Sequence, residues 1–166
     1  MGGPAPLPRY QHTQPAHTIR ISVFAGMALL AGMAVAFAQG GHRAEPVVAI
    51  LLTTVAVLAV AVVLFWSLTV TVSETSLAWH FGPGLIRMSV ALDDIVSCTP
   101  TRTPLLAGWG IHWMPRGWVY NASGFGAVEV RLKSGKALRI GTDEPAALAE
   151  AVRTATGRPV HTQHRV

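Results

Sequence analysis

The aromatic side chains between positions 105 and 126 are the residues of this chain best suited to making contacts. The candidates among them are Trp109, Trp113, Trp118 and Tyr120, which are interleaved with glycine and proline. Such rings cover a large area at low entropic cost, and they recur at protein interfaces and at membrane–water boundaries. Two interpretations follow: the segment is a loop that contacts a partner or a membrane, or its rings fold back to fill a core.

A second candidate is a set of cations near the C-terminal end of the chain. Arg131, Lys133 and Arg139 share the outward face of a predicted hairpin, with Glu129 beside them. Cations at a membrane surface attract anionic headgroups, and each cation contributes on the order of 1 kcal/mol to the binding free energy. The alternative interpretation is an ordinary solvated strand face.

No residue set points to catalysis, a cofactor or a metal. His80, His112, His161, His164 and Cys98 lack metal-ligand spacing. Asp93 and Asp94 are adjacent, so on a strand they would point to opposite faces. Phosphate loops, dinucleotide fingerprints and nucleophile elbows are also missing. The net charge of +5 comes without a dense Lys/Arg run, which argues against nucleic acid. A non-enzymatic binding module is therefore predicted.

The positioning elements begin with two apolar runs. Hydrophobic residues make up 51% of the 166 and charged residues only 13%. No ionisable residue occurs at 21–38 or at 47–68. A helix needs roughly 20 apolar residues to cross a bilayer core about 30 Å thick. These runs predict two transmembrane helices in an antiparallel hairpin, with Trp66 as an interface anchor. Without ionisable groups inside the spans, transporter and channel functions are not expected.

The orientation follows from the distribution of cations. Arg9 and Arg20 precede the first run and several arginines follow the second, whereas the connecting loop carries only Arg43 together with Glu45. The positive-inside rule then predicts a multi-pass protein of the plasma membrane with both termini in the cytoplasm. One alternative is a cleaved signal peptide, because Ala36-Phe37-Ala38 has the form of a cleavage site. Ala28, Gly32 and Ala36 form a small-residue stripe suited to close helix packing and to a homo-oligomer.

The soluble half begins directly after Trp66 and reads as a small antiparallel β domain. Apolar and polar residues alternate over 68–73, and further strands are predicted at 77–81, 85–90 and 91–98. A hairpin at 128–140 needs a turn longer than two residues. Only a left-handed Gly135 with a bulge pairs Val130 and Leu132 with the apolar residues of the next strand. A helix follows to residue 156, with Pro145 in its first turn. Residues 1–20 and 157–166 are expected to be disordered.

This order of elements resembles the bacterial pleckstrin-homology-like membrane proteins of actinobacterial type, many of unknown function. The resemblance covers 21–156. Its motifs are Gly108-Trp109-Gly110-Ile111, the Gly-Trp-Val-Tyr stretch after it, and the Gly141-Thr142-Asp143-Glu144-Pro145 start of the last helix. It implies an α+β membrane protein, in which a helical hairpin precedes a bent β-barrel or sandwich, at 69–156, closed by the C-terminal helix.

The resemblance does not carry over phosphoinositide binding. Pleckstrin-homology domains bind those lipids with Lys and Arg in the first strand-turn-strand, and here that turn, 73–76, has Glu74 and no cation. The expected function is a membrane-anchored scaffold that holds a membrane-associated protein through the aromatic loop or an exposed sheet edge. The alternatives are a module that contacts lipid headgroups and, less favoured, an enzyme of unidentified type.

Overall fold

A computed structural model describes residues 8–39, 45–104, 108–115 and 117–157. The chain is α+β, with a pair of long helices, two β-sheets and a C-terminal helix. The elements in chain order are β1 Tyr10–Pro15, α1 His17–Ala38, α2 Glu45–Leu64, β2 Ser67–Val72, β3 Ser76–Phe81, β4 Ile86–Ala91, β5 Ile95–Arg102, β6 Gly110–Met114, β7 Gly117–Asn121, β8 Gly126–Leu132, β9 Ala137–Gly141 and α3 Pro145–Thr156.

The two long helices match the two apolar runs. They have 22 and 20 residues with mean hydropathies of 2.2 and 3.0, so each is long and apolar enough to cross a membrane by length and composition. Their apolar surfaces remain uncovered, because only Ala34 and Val62 are buried. Thr53 and Thr54 donate hydrogen bonds to carbonyls one turn earlier, at 2.8 Å each, so these hydroxyls place no unpaired donor on the helix surface.

Helix α1 begins four residues before the predicted start at 21, and α2 ends four residues before the predicted end at 68. The second difference arises because the chain turns into β2 at Ser67. The small-residue stripe does not form the α1–α2 contact: Ala28, Gly32 and Ala36 all lie on the exposed face, and Ala34 is buried instead. The predicted connecting loop, 39–46, lies largely outside the described residues.

The prediction of a disordered N-terminal segment is wrong for residues 10–15. These residues form β1, which pairs antiparallel with β2 in the register Gln14↔Leu68 and His12↔Val70. Strands β1 and β2 are therefore neighbours, and each connects directly to one of the two long helices. Both helices consequently adjoin the same end of this strand pair, where Pro15 lies opposite Ser67.

Two separate sheets enclose the core. The first has strand order β1-β2-β3-β4, and the second has order β5-β8-β9-β7-β6 with a parallel β7/β9 pair. Apolar side chains of both sheets share one core with α3, including Val70, Val128, Ile140, Leu148 and Val152. The described strands form a sandwich and no closed barrel, so the barrel alternative is not observed.

The β8–β9 hairpin has the predicted parity. Val130 pairs with Leu138 and Val128 with Ile140. Gly135 has a φ of +80°, and its N–H donates to the Leu132 carbonyl at 2.9 Å, as in a three-residue turn followed by a bulge. The predicted strand at 91–98 differs: a 3₁₀ turn at Leu92–Asp94 separates β4 from β5. The predicted C-terminal tail lies outside the described residues beyond Gly157, which ends α3 in a left-handed conformation.

Candidate binding cleft

The aromatic segment is a β-hairpin rather than a loop. Strands β6 and β7 pair with Trp113 directly opposite Trp118 and Ile111 opposite Tyr120, so these four side chains share a face. Position 116, between β6 and β7 in the sequence, lies outside the described residues. The rings have different environments: Trp113 is 68% exposed, Trp118 45% and Trp109 37%, whereas Tyr120 is 8% exposed. Tyr120 is therefore a core residue, whereas the three tryptophans are at least partly exposed, and their contact with a partner or a membrane stays a prediction.

Tyr120 joins the two sheets. Its ring lies 5.1 Å from that of Trp79 on β3, measured between centroids. Burial raises the pKa of the Tyr120 phenol. Trp79 is 2% exposed, and its Nε1 has no hydrogen-bond partner among the described residues. This pair forms the meeting point of the sheets beneath the exposed Trp113 and Trp118.

Gly117 holds the hairpin against β9. It has a φ of +140°, a conformation that L side chains rarely adopt, and it pairs with Ala137. A Cβ at this position would lie well inside van der Waals contact with the Ala137 carbonyl oxygen. The close approach therefore requires glycine and places Trp118 beside Leu138 on the face that looks toward the first sheet.

A cleft of about 1080 Å³ opens where the two sheets diverge. Its volume is at the upper end of the roughly 300–1,000 Å³ of small-molecule sites, and its lining is mainly apolar. The first sheet contributes Trp79, Met88 and Val90, and the second contributes Trp113, Trp118, Tyr120 and Leu138. Helix α3 packs beside β2, β5 and β8, so it does not cover this side. The cleft therefore combines the exposed indoles with a floor made of core aromatics.

Two edge strands border the cleft. Strand β4 ends the first sheet and β6 ends the second. Met88, Ser89 and Val90 of β4 face the cleft from one side, and Trp113 of β6 faces it from the other. An edge strand presents unpaired backbone N–H and C=O groups, which can pair with an added strand. The arrangement can thus offer both backbone pairing and apolar side-chain contacts.

Two of the three cations on the basic face of the β8–β9 hairpin are paired with one carboxylate. Glu129 accepts hydrogen bonds from Arg131 Nε at 3.1 Å and from Arg139 Nη2 at 3.0 Å. Burial raises the pKa of Glu129, but these hydrogen bonds and charges outweigh it and hold the pKa below the ordinary value. Lys133 is exposed in the turn, and its backbone N–H donates a hydrogen bond to the Asp94 carbonyl at 2.9 Å. Glu129, Arg131 and Lys136 all line the cleft, so these three residues give its rim a net charge of one positive unit.

Trp66 lies between α2 and β2, and its role as a membrane-interface anchor stays a prediction. The Arg20 guanidinium stacks on its indole, 3.7 Å from the ring centroid. Arg20 Nη2 also donates to the Trp66 carbonyl at 2.7 Å, and the Ala16 N–H donates to the same oxygen at 3.1 Å. These contacts tie the first turn of α1 to the end of α2.

The remaining titratable groups of the described residues form no metal-ligating cluster. No group of three His, Cys, Asp or Glu residues could hold a metal within the described parts of the chain. Burial raises the pKa of Cys98 to about 12, so the thiol is inert. His161 and His164 lie outside the described residues. The N-terminal strand contacts the start of α3 instead: Tyr10 donates to Glu144 at 3.2 Å, and His12 lies 2.6 Å from Asp143.

Sequence reasoning missed the residues that the first sheet contributes to the cleft. The sequence pattern places Trp79, Met88 and Val90 in ordinary strands, because no local pattern shows which sheet faces which. A usable signal did exist: Met88 and Val90 alternate with polar residues in a strand followed by a turn, as is typical of a half-exposed edge strand.

Comparison of this chain with protein-family models, with curated proteins and with solved structures gives no match.

Proposed function

We propose that this protein is a membrane-anchored, non-catalytic binding module that holds an extended segment of a membrane-associated protein in the cleft between β4 and β6. The observation that carries the proposal is the cleft itself, an apolar site with exposed indoles and two strand edges. Lys136 on the rim favours a segment with an acidic residue next to its apolar anchor, because Arg131 is already paired with Glu129.

The uncovered surface of both long helices supports anchoring. Core helices of soluble proteins are mostly buried, whereas only 6% of the most apolar window of each helix is buried here. A bilayer would cover this surface. The strand upstream of α1 supports retention of the first helix, because signal cleavage after Ala38 would remove β1 from its sheet. Cation distribution favours a domain on the cytoplasmic face of the plasma membrane.

The pleckstrin-homology-like resemblance belongs to the same proposal. A two-sheet sandwich with a C-terminal helix after two apolar helices agrees with the coarse architecture that it implies. The ligand does not follow from it. The turn between β2 and β3 offers Glu74 and no cation, and the Arg131–Glu129–Arg139 cluster is internally paired. Headgroup binding by these cations is therefore the less favoured proposal.

A photo-cross-linking experiment tests the cleft. A benzophenone amino acid replaces Trp113 in the full chain, and Val96, an exposed apolar residue of β5 that does not line the cleft, serves as the control position. In native membranes we expect a protein adduct from position 113 and none from position 96. Lipid adducts at 113, or equal adducts at both positions, would contradict peptide binding.

A matched pair of tryptophan variants then measures the contact. With a synthetic peptide of the captured segment, Trp118→Ala is expected to weaken binding by about 2 kcal/mol, roughly 30-fold, as loss of a central interface tryptophan does. Trp109→Ala removes an exposed indole that does not line the cleft and is expected to leave affinity unchanged. Equal losses in the two variants would place the peptide elsewhere.

A further inference from the structure

The turn between β3 and β4 lies against the end of α2. The Gly82 N–H donates to the Ser67 carbonyl at 2.9 Å. A Cβ on Gly82 would be 2.5 Å from the Val63 carbonyl oxygen and 2.6 Å from that of Leu64, so the turn packs directly on the last turn of the helix. The rings of Phe65 and Phe81 meet edge to face at 5.1 Å. These contacts hold the turn at the level where the helix ends.

The tip of this turn carries an uncovered apolar side chain. Leu85 is 78% exposed, which exceeds even Ile21 at 71%, the most exposed large apolar residue of the two helices. Arg87, two positions later, is also exposed, and its Nε donates to the Gly84 carbonyl. An apolar tip with an adjacent guanidinium suits a membrane interface, where the alkyl group enters the headgroup layer and the cation stays near phosphate.

A second turn reaches the same level from the other sheet. Gln14 donates to the Ser123 carbonyl at 2.9 Å, and the Ser123 hydroxyl lies 3.4 Å from that of Thr18 in the first turn of α1. The β7–β8 turn therefore lies beside the base of α1. Its Phe125 is exposed. The helix pair thus has one exposed apolar turn tip from each sheet near its base.

We propose that the base of the β domain sits on the lipid headgroup layer, with Leu85 and Phe125 inserted on either side of the helix pair and with Arg20 and Arg87 near lipid phosphate. The proposal rests on the membrane anchoring proposed above. It orients the domain: Trp113 and Trp118 lie toward the other end of β6 and β7, and Trp118 is three residues from Asn121, about 10 Å along the strand at 3.3 Å per residue. The cleft therefore remains open to a protein partner.

Depth-dependent quenching in reconstituted vesicles tests this placement. Single cysteines at Leu85 and Phe125 of the full chain carry an environment-sensitive fluorophore, in vesicles of phosphatidylcholine with a minor fraction of phosphatidylglycerol. Position Val57, within α2, is the control for insertion, and position Ser134, in the exposed β8–β9 turn, is the control for the distal surface. The buried, protonated Cys98 stays unlabelled, which the unsubstituted chain verifies.

We expect the fluorophores at positions 85 and 125 to emit at shorter wavelength than the fluorophore at position 134. We also expect headgroup-level spin labels to quench their fluorescence severalfold more. Position 57 is expected to be quenched by labels deep in the acyl chains. Quenching at position 57 with none at positions 85 and 125 would contradict contact between the base of the β domain and the headgroup layer, but it would leave the membrane anchoring intact. Lack of quenching at all four positions would overturn anchoring as well.

Discussion

The Arg20 guanidinium lies over the Trp66 indole at 3.7 Å and donates a hydrogen bond to the carbonyl of the same residue. Two residues 46 positions apart thereby close the base of the helix pair. The same point receives the paired ends of β1 and β2, Pro15 and Ser67. Sheet and helices therefore meet in a braced junction rather than at a flexible linker.

This junction is expected to stabilise the protein. Arg20→Ala should lower the apparent free energy of unfolding by about 1–2 kcal/mol, as a partly desolvated cation–π contact contributes. Arg20→Lys keeps the charge but lacks the planar group, so it should recover only part of this. Thermal unfolding of the detergent-solubilised chain measures the effect. In a double-mutant cycle with Trp66→Ala, strict additivity would show that the two side chains do not interact.

Gly117 should tolerate no side chain. Gly117→Ala would force a Cβ into the Ala137 carbonyl at a φ of +140°, so we expect a loss of at least about 3 kcal/mol or failure to fold. Gly135→Ala is the matched control, because it shares a positive φ, of +80°, but meets open space. Its cost should be about 1–2 kcal/mol. Similar melting temperatures for the two variants would refute the close β7–β9 approach.

Cys98 should react only when the protein unfolds. Burial raises its pKa to about 12, so the thiolate that attacks thiol reagents is almost absent at neutral pH. We expect negligible labelling by a maleimide in the folded state and rapid labelling in denaturant. Rapid labelling of the folded protein at neutral pH would mean that the β5 interior is open to solvent.

Glu129 should give the protein a pH-dependent stability in the acid range. Its pKa in the folded chain lies below the ordinary value of 4.5, so ionised Glu129 stabilises the fold above that value. This contribution is lost as pH falls from 4.5 through the lower folded-state pKa. Glu129→Gln should cost about 1–3 kcal/mol at pH 7 and less at low pH. An unchanged pH profile in the variant would mean that Arg131 and Arg139 do not hold the carboxylate.

Parts of this fold follow from local sequence patterns. The two apolar runs locate α1 and α2, because uncharged segments of this length have few alternatives. The position of Gly135 fixes the parity of the β8–β9 turn, since a one-residue slip would bring Arg131 to the core face. The start of α3 at Pro145 also follows from a local signal.

Other parts depend on contacts between distant residues, and sequence patterns missed them. Strand β1 has the sequence YQHTQP, which lacks apolar alternation, and it is ordered by pairing with β2 more than 50 positions away. Thr13 and Thr69, whose hydroxyls lie 2.9 Å apart, belong to this pairing. The cleft was missed for the same reason, because it exists only where β4 of one sheet faces β6 of the other.

Sided labelling tests the central claim, a helix-pair anchor with the β domain on the cytoplasmic face, most directly. Single cysteines replace Ser134 in the β8–β9 turn and Gly41, between the two helices, and a membrane-impermeant maleimide is applied to right-side-out and to inverted vesicles. We predict labelling of position 134 only from the cytoplasmic side and of position 41 only from outside. Labelling of both positions from the same side would contradict the two-span anchor.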